Sequence, residues 1–317
     1  MNSELSYGLT GSGHFAASCL ELLSLRKKPE WVITGAPSIA GRGLKLKNTP
    51  VWEKAMELGI PCFATAKLCA DTERLEWLKN NRPEVILVID FGQLIKEPVL
   101  SLAPLGCLNI HPSRLPQYRG SAPVQRAVME GCHSTTVSIF RLDPGMDSGP
   151  ILAQPELQIE PEDTSETLFQ KAAQLGTQTL LKYLCEIPKE NWCFTEQEAA
   201  LATNAPKIDK SEGKIDWSAP PQEILNKVRA IALSPGVYFF ARGKRVRLFE
   251  ASVLQKPAGR PGLFYKTEQG PAVTCGDGAL LLLSVQPEGK KRQPASDWAR
   301  GLRIEEGSPL EEDINNE

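Results

Sequence analysis

Through its first half, the chain alternates short apolar runs with amphipathic stretches. SYGLTG reads as a first strand, and FAASCLELLSL as a helix with its apolar residues on one side. WVITG is a second strand. VWEKAMELG is a helix ending at Gly59, IPCFA a short strand, and TERLEWLKNN an amphipathic helix stopped near Pro83. VILVIDFG is an apolar strand of the kind buried on both faces, and CLNIH is another. TVSIFRL and ILAQPELQI follow as strands, then ETLFQKAAQLGTQTLLKYLCEI as a long helix. Strands alternating with helices predict an α/β architecture, a Rossmann-like and mostly parallel sheet with flanking crossover helices.

Past residue 188 the texture changes. PKENWCFTEQEAALATNAPK reads as a linker and PQEILNKVRAIA as one helix. GVYFFARGKRVRLFEASVL, GLFYKT, PAVTCG and ALLLLSVQ are then short strands punctuated by Gly and Pro. They predict a smaller C-terminal β-barrel domain, OB-like in kind. The expected division is an α/β domain over 1–188, a linker over 189–206 and a β domain over 207–317 that ends in an acidic tail.

Composition narrows the class. The 317 residues are 41% hydrophobic and 23% charged, enough for two buried cores. No run approaches the roughly 18 apolar residues of a membrane helix. MNSELSYGLTGSGHF has neither a basic n-region nor a long apolar core, so a cytoplasmic protein is expected. The eight cysteines form no CxxC pair and read as reduced thiols. Three histidines without HExxH predict no metal site. The net charge of −2 hides an uneven distribution, because Lys207 to Arg303 holds 17 basic against 9 acidic side chains. That region suits an anionic partner, or else is simply a solvated charged face.

The chemistry concentrates in two places. In LNIHPSRLPQYRG, strand alternation puts Asn109 and His111 on one face with Ile110 opposite, at the carboxyl end of a strand. In DPGMDSGP, Gly145 and Gly149 bound a loop that offers Asp147. Taken singly, the first is compatible with a histidine satisfying a core contact and the second with a solvated turn. Together they supply an amide donor for an oxyanion, an imidazole to move protons and a carboxylate to orient the ring. This set suits acyl transfer to an amine.

LNIHPSRLPQYRGSAPVQRAVMEG followed by DPGMDSGPIL resembles the folate-dependent formyltransferases, whose motif has Asn-x-His, Ser-Leu-Leu-Pro and an Asp in a glycine-bounded loop. The resemblance runs from about residue 8 to about residue 310. It implies 10-formyltetrahydrofolate as donor, with no metal. Asn109 and protonated His111 would stabilise the tetrahedral oxyanion, and Asp147 would hold His111 and help remove the amine proton. Ser113, Arg114, Leu115 and Pro116, with the backbone near residues 90 to 93, would line the folate pocket. AGRGLKLKNTPVWEKA, KIDWSAPPQEILNKVRA and CGDGALLLLSVQPEGKKRQPASDWARG are similar to stretches of those members that formylate the α-amine of methionine carried on initiator tRNA. Arg42, Lys45, Lys290, Lys291 and Arg292 would then contact the tRNA, and a monomer is expected. Here Ser113-Arg114-Leu115-Pro116 stands where the family has Ser-Leu-Leu-Pro, and GSGHFA where it has Gly-Thr-Pro before the phenylalanine.

Other readings remain at this point. A formyltransferase could act on an amino sugar or a purine precursor instead. The same fold could serve as a catalytically silent RNA-binding protein. Gly11-Ser12-Gly13-His14-Phe15-Ala16 fits a G-x-G-x-x-A dinucleotide turn. The second strand, however, ends at Thr34 and Gly35, where that fingerprint wants an acid.

Overall fold

A computed structural model describes residues 4–40, 45–254, 259–302 and 304–311. The chain forms two compact units. One comprises Met1–Pro123, Ser134–Ile159 and Glu166–Ala205, the other Val124–His133, Glu160–Ser165 and Pro206–Glu317.

The first unit follows the apolar pattern: β1 (Tyr7–Gly11), α1 (His14–Ser24), β2 (Val32–Gly35), a hairpin of β3 (Ser38–Ala40) and β4 (Lys45–Lys47), α2 (Pro50–Glu57), β5 (Cys62–Thr65), α3 (Thr72–Asn80), β6 (Val85–Ile89) and β7 (Cys107–His111). α4 (Pro123–Met129) falls in the second unit but for Pro123, and the first resumes with β8 (Ser134–Thr136), β9 (Ser138–Arg141), β10 (Ile151–Ala153), β11 (Glu156–Gln158) and α5 (Ser165–Cys185). Seven strands form one sheet in the order β10-β9-β7-β6-β1-β2-β5. From β5 to β7 the neighbours are parallel, and β9 and β10 are added antiparallel.

Alternation sorts the strand residues into two cores. Tyr7, Leu9, Val85, Leu87, Leu108 and Ile110 pack with α1, α2 and α5. Ile33, Ile86, Val88 and Cys107 pack with Trp31, Leu68, Leu78 and the segment carrying Ile95 and Val99. Each fully buried side chain such as Leu9 stabilises the fold by about 1.5–3 kcal/mol. Gly176 lets α5 lie close behind β7, since a Cβ there would come 2.6 Å from Ile110 Cγ2. Asn109 and His111 therefore face away from α5, as the pattern predicts.

Two predicted strands are each divided. TVSIFRL becomes β8 and β9, which join different sheets. ILAQPELQI breaks at Gln154–Pro155 into β10 and β11. Pro155 has no N–H for a ladder, and the Gln154 amide turns to Leu115 O and Ser138 Oγ, both at 2.8 Å.

The second unit holds α6 (Pro221–Ile231), β12 (Val237–Ala241), β13 (Lys244–Leu254), β14 (Phe264–Thr267), β15 (Gly270–Thr274), β16 (Ala279–Pro287), β17 (Gln293–Pro294) and α7 (Ala295–Leu302). GVYFFARGKRVRLFEASVL is a hairpin. Arg242 and Gly243, with φ of 50° and 72°, form its two-residue turn. The antiparallel order is β12-β13-β16-β15-β14, with β17 on β16. The segment Ser308–Glu311 spans the gap between the end strands. Phe264 N–H donates to Ser308 O at 2.9 Å, and Arg242 N–H donates to Leu310 O at 3.3 Å. Phe239 is the aromatic centre, with Trp217 and Trp298 rings 5.5 and 5.7 Å away. The apolar pattern did not single out α7, although it buries Ala295, Trp298 and Ala299. Among the described residues no helix is long and apolar enough to cross a membrane.

Candidate functional site

β7 ends at His111, and β9 runs antiparallel beside it with Ser138 opposite His111 and Phe140 opposite Asn109. His111 is buried, and its ring meets that of Phe140 edge-on at 6.3 Å. Its Nε2 lies 3.2 Å from the Tyr118 carbonyl oxygen and 3.9 Å from Asp147 Oδ2. At 3.9 Å the Asp147 contact is longer than a direct hydrogen bond. Asp147 Oδ2 accepts the Gly120 N–H at 2.8 Å, which aims the carboxylate at the ring.

The backbone around this point is unusual. Tyr118 and Asp147 both have positive φ, 58° and 51°, a region that non-glycine residues seldom adopt. Asp143 ties its own loop by accepting from Gly145 N–H at 3.0 Å and Ser148 Oγ at 2.8 Å. A Cβ at Gly149 would fall 1.9 Å from Arg141 O, so the loop closes against β9 only with glycine there. Of the three residues singled out in the sequence, His111 ends β7, Asn109 stands two residues earlier on the same strand, and Asp147 lies 3.9 Å from His111.

The expected folate segment is built into the protein more deeply than its motif suggests. Ser113 is buried, and its carbonyl accepts from Thr136 Oγ1 at 2.9 Å and Ser138 Oγ at 2.6 Å. Leu115 is also buried, its carbonyl held by Gln154. Pro116 is half-buried, and its carbonyl accepts from Thr203 N–H at 3.3 Å. Arg114 is exposed and reaches Glu156 Oε1 and Ser134 Oγ, each at 3.4 Å. The loop after β6 is shaped by positive φ at Asp90 and Gly92. Gln93 fixes it, accepting from Leu68 N–H at 2.9 Å and donating to Thr65 O at 3.3 Å.

Asp90 answers the dinucleotide reading. Its carboxylate accepts backbone N–H groups of Phe15 and Ala16 in the first turn of α1. Oδ2 would lie 1.8 Å from a Cβ on Gly13. The helix N-terminus where a pyrophosphate would dock is capped by the chain's own acid. Desolvation pushes the Asp90 carboxyl up to about 6, while His14 and the two N–H groups pull it down.

In the C-terminal unit, Lys290 and Lys291 are exposed in the turn after β16. Arg292 differs. It pairs with Glu250, donates to Ser284 Oγ at 2.7 Å and lies 4.5 Å from the Phe249 ring centre. Arg245 and Arg247 stack similarly on Tyr238 and Phe249, at 3.7 and 4.9 Å. Lys45 is in β4, and Arg42 lies outside the described residues. Among the described residues no group of three or more His, Cys, Asp or Glu is arranged to hold a metal. Sequence reasoning did not single out the Tyr118 carbonyl or Gln197, and near residue 90 it named only the backbone, not the Asp90 side chain. Only Asp90 carried a signal, a lone acid closing an apolar run.

The formyl transferase model matches residues 9–184, and the formyl transferase C-terminal domain model matches 207–303. A methionyl-tRNA formyltransferase of Desulfotalea psychrophila is 38% identical over 297 residues, covering 93% of this chain and 92% of that protein. One from Thermus thermophilus is 37% identical, covering 95% of this chain and 97% of that one. Among solved structures, the sugar 3N-formyl transferase WlaRD, determined with dTDP and 5-N-formyl-THF, superposes with a TM-score of 0.63. It is 18% identical, covering 92% of this chain and all of that one, and shows likeness of fold.

Proposed function

This chain belongs to the formyl transferase family, and on that premise we propose that it moves the formyl group of 10-formyltetrahydrofolate to the α-amine of methionyl-tRNA. The observation that carries this reading is identity of 37–38% along nearly the whole of two methionyl-tRNA formyltransferases. The Asn109, His111 and Asp147 set supplies the matching chemistry.

The donor brings a formyl carbonyl activated by its amide nitrogen. The protein does the rest at the end of β7. The Asn109 amide and a His111 ring N–H donate to the formyl oxygen as it gains charge. The Asp147 carboxylate accepts the proton lost by the attacking amine, and the His111–Asp147 pair returns a proton to the departing nitrogen. The C–N bond to the methionine amine forms as the bond to the folate nitrogen breaks. The chemistry fits, since the Asp147 carboxylate lies 3.9 Å from the His111 imidazole at the end of β7 and the Asn109 amide stands two residues earlier on the same strand face. The segment from Ser113 to Pro116 and the backbone at 90–93 form the walls of the donor site. The interior bonds of Ser113 and Leu115 keep those walls in place.

The tRNA is met by the exposed Lys290 and Lys291, with Arg292 beside them, and by Arg42 and Lys45 toward the acceptor end. An α/β unit for catalysis and a β-rich unit for tRNA binding suit this reading, with residues 189–205 grouped with the α/β unit rather than standing as a free linker. A cytoplasmic monomer suits a substrate that is a soluble charged tRNA. The test is transfer of labelled formyl from 10-formyltetrahydrofolate to methionyl-tRNA, with dTDP-linked amino sugars as competing acceptors. Label on the methionine amine supports the reading. Label on the sugar alone, or on neither, overturns it.

A further inference from the structure

Residues 189–206 read as a linker, but much of the stretch is bonded back onto the α/β unit. Thr195 and Ile151 exchange backbone hydrogen bonds at 2.9 and 2.8 Å. Thr203 O accepts the Arg119 N–H at 2.9 Å, Thr203 Oγ1 accepts the Tyr118 N–H at 2.9 Å, and the Ala205 N–H donates to Arg119 O at 2.7 Å. Between these anchor points sits Gln197. Its Nε2 donates to Asp147 O at 2.9 Å and to Gly149 O at 2.7 Å. Its Oε1 accepts from Arg119 Nη2 at 2.7 Å and from Nε at 3.2 Å.

One amide thus joins the two walls of the site. The first wall is the loop that presents Asp147 in a left-handed conformation. The second is Tyr118–Gly120, whose Tyr118 carbonyl faces His111 Nε2 and whose Gly120 N–H holds the Asp147 carboxylate. Glutamine suits this place because one end offers two N–H donors for two carbonyls, while the other accepts a guanidinium. A glutamate could keep Arg119 but would set its charge against the carbonyls of Asp147 and Gly149.

We propose that Gln197 is a positioning residue for formyl transfer, clamping the Asp147 loop to the Tyr118–Gly120 wall so that Asp147 and His111 stay aligned. The proposal rests on the reading of Asp147 and His111 as the reacting pair. Misplacement of a reacting group by about 1 Å costs up to about 100-fold in rate. Gln197→Ala and Gln197→Glu should each lower kcat by about 10- to 100-fold and leave KM for either substrate within about threefold. Because the effect passes through Asp147, adding Gln197→Ala to Asp147→Ala should cost less than about threefold more.

A measurement without substrate reads the same clamp. Amide exchange at Gly120, whose N–H Asp147 accepts, should quicken at least about tenfold in both Gln197 variants. An inactive wild type that still shows this exchange response would remove the formyl-transfer reading and leave the clamp standing. Gln197→Glu behaving as wild type in kcat and exchange would overturn the proposal, since the bond to Arg119 alone would then suffice. Full multiplication of the two substitutions in the double variant would overturn it too.

Discussion

The Asp147 oxygen that accepts the Gly120 N–H at 2.8 Å is the same oxygen that lies 3.9 Å from His111 Nε2. A single backbone donor therefore decides where the carboxylate points. With Asn109 two residues before His111 on the same strand face, the three groups can address one carbonyl carbon. Asn109→Ala should lower kcat by about 10²- to 10³-fold, the usual loss for one oxyanion donor. His111→Ala and Asp147→Ala should be at least as severe, with donor binding changed far less. Single-turnover rates with labelled donor measure this, and near-normal turnover in any of the three would remove that residue from the reacting set.

The close approach at Gly149 extends the argument to the loop itself. A methyl group there would press on the Arg141 carbonyl, which belongs to β9. Gly149→Ala should therefore shift the loop, lowering kcat at least about tenfold, as expected when a reacting group moves by a fraction of an ångström. An adjacent exposed control, Met146→Ala, should leave kcat within about twofold. Equal effects of the two substitutions would show that the closure at Gly149 does not matter.

Arg114 stands where the family motif has leucine, and its charge is met by Glu156 from within the chain. The pair is exposed, 44% and 57%, so it contributes at most about 1 kcal/mol. Arg114→Leu should keep unfolding free energy within about 1 kcal/mol and the KM for donor within about threefold. Denaturant titration and donor saturation curves check both. A KM raised more than tenfold would place the guanidinium on the folate instead.

Partial desolvation of a carboxyl that still meets solvent pushes Asp90 up to about 6 from an ordinary value of 3.8. The folded state thus holds the proton more tightly than the unfolded chain. Between those two values stability falls as pH rises, and above the upper one the loss is complete. Asp90→Asn does not titrate, so its stability relative to wild type should improve from pH 4 to pH 7 and then level off. Solvent around Asp90 keeps the gain below the full 1.36 kcal/mol per pKa unit. Urea midpoints at four pH values within this range test it. A difference that stays constant or shrinks with rising pH would contradict the desolvated carboxyl.

Much of this was legible in residue order. β6 and β7 were evident because a strand buried on both faces needs an unbroken apolar run. Asn109 and His111 were evident because strand alternation alone puts them on one face. Asp147 could be found because two glycines mark its loop. Gln197 could not. Its amide nitrogen meets backbone carbonyls 48 and 50 residues away, which carry no residue identity, and its oxygen meets Arg119, 78 residues away. Tyr118 acts through its carbonyl and is hidden for the same reason. α7 was missed because its Gly301 weakens a short helix, and the burial of Trp298 that holds it is a tertiary contact. The resemblance set Lys290, Lys291 and Arg292 together as one basic cluster, yet only the fold separates Arg292 from its neighbours.

That separation should show in salt dependence. Lys290 and Lys291 are exposed at the turn, whereas Arg292 is held by Glu250 and Ser284 over Phe249. A phosphate contact releases counterions, so each one adds about 0.7–0.9 to the slope of log affinity against log salt. Replacing Lys290 and Lys291 with Ala should weaken tRNA binding and reduce that slope by about 1 to 2. kcat at saturating tRNA should survive, because both residues lie outside the reacting set. Arg292→Ala removes a charge already neutralised by Glu250, so it should change the slope by less than about 0.5. It should instead lower the melting temperature, through loss of the Phe249 contact. tRNA binding at three salt concentrations, with thermal unfolding alongside, distinguishes the two roles. An Arg292→Ala slope change equal to that of the lysine pair would show that Arg292 leaves Glu250 to engage phosphate. No slope change in either variant would remove this turn from the tRNA surface.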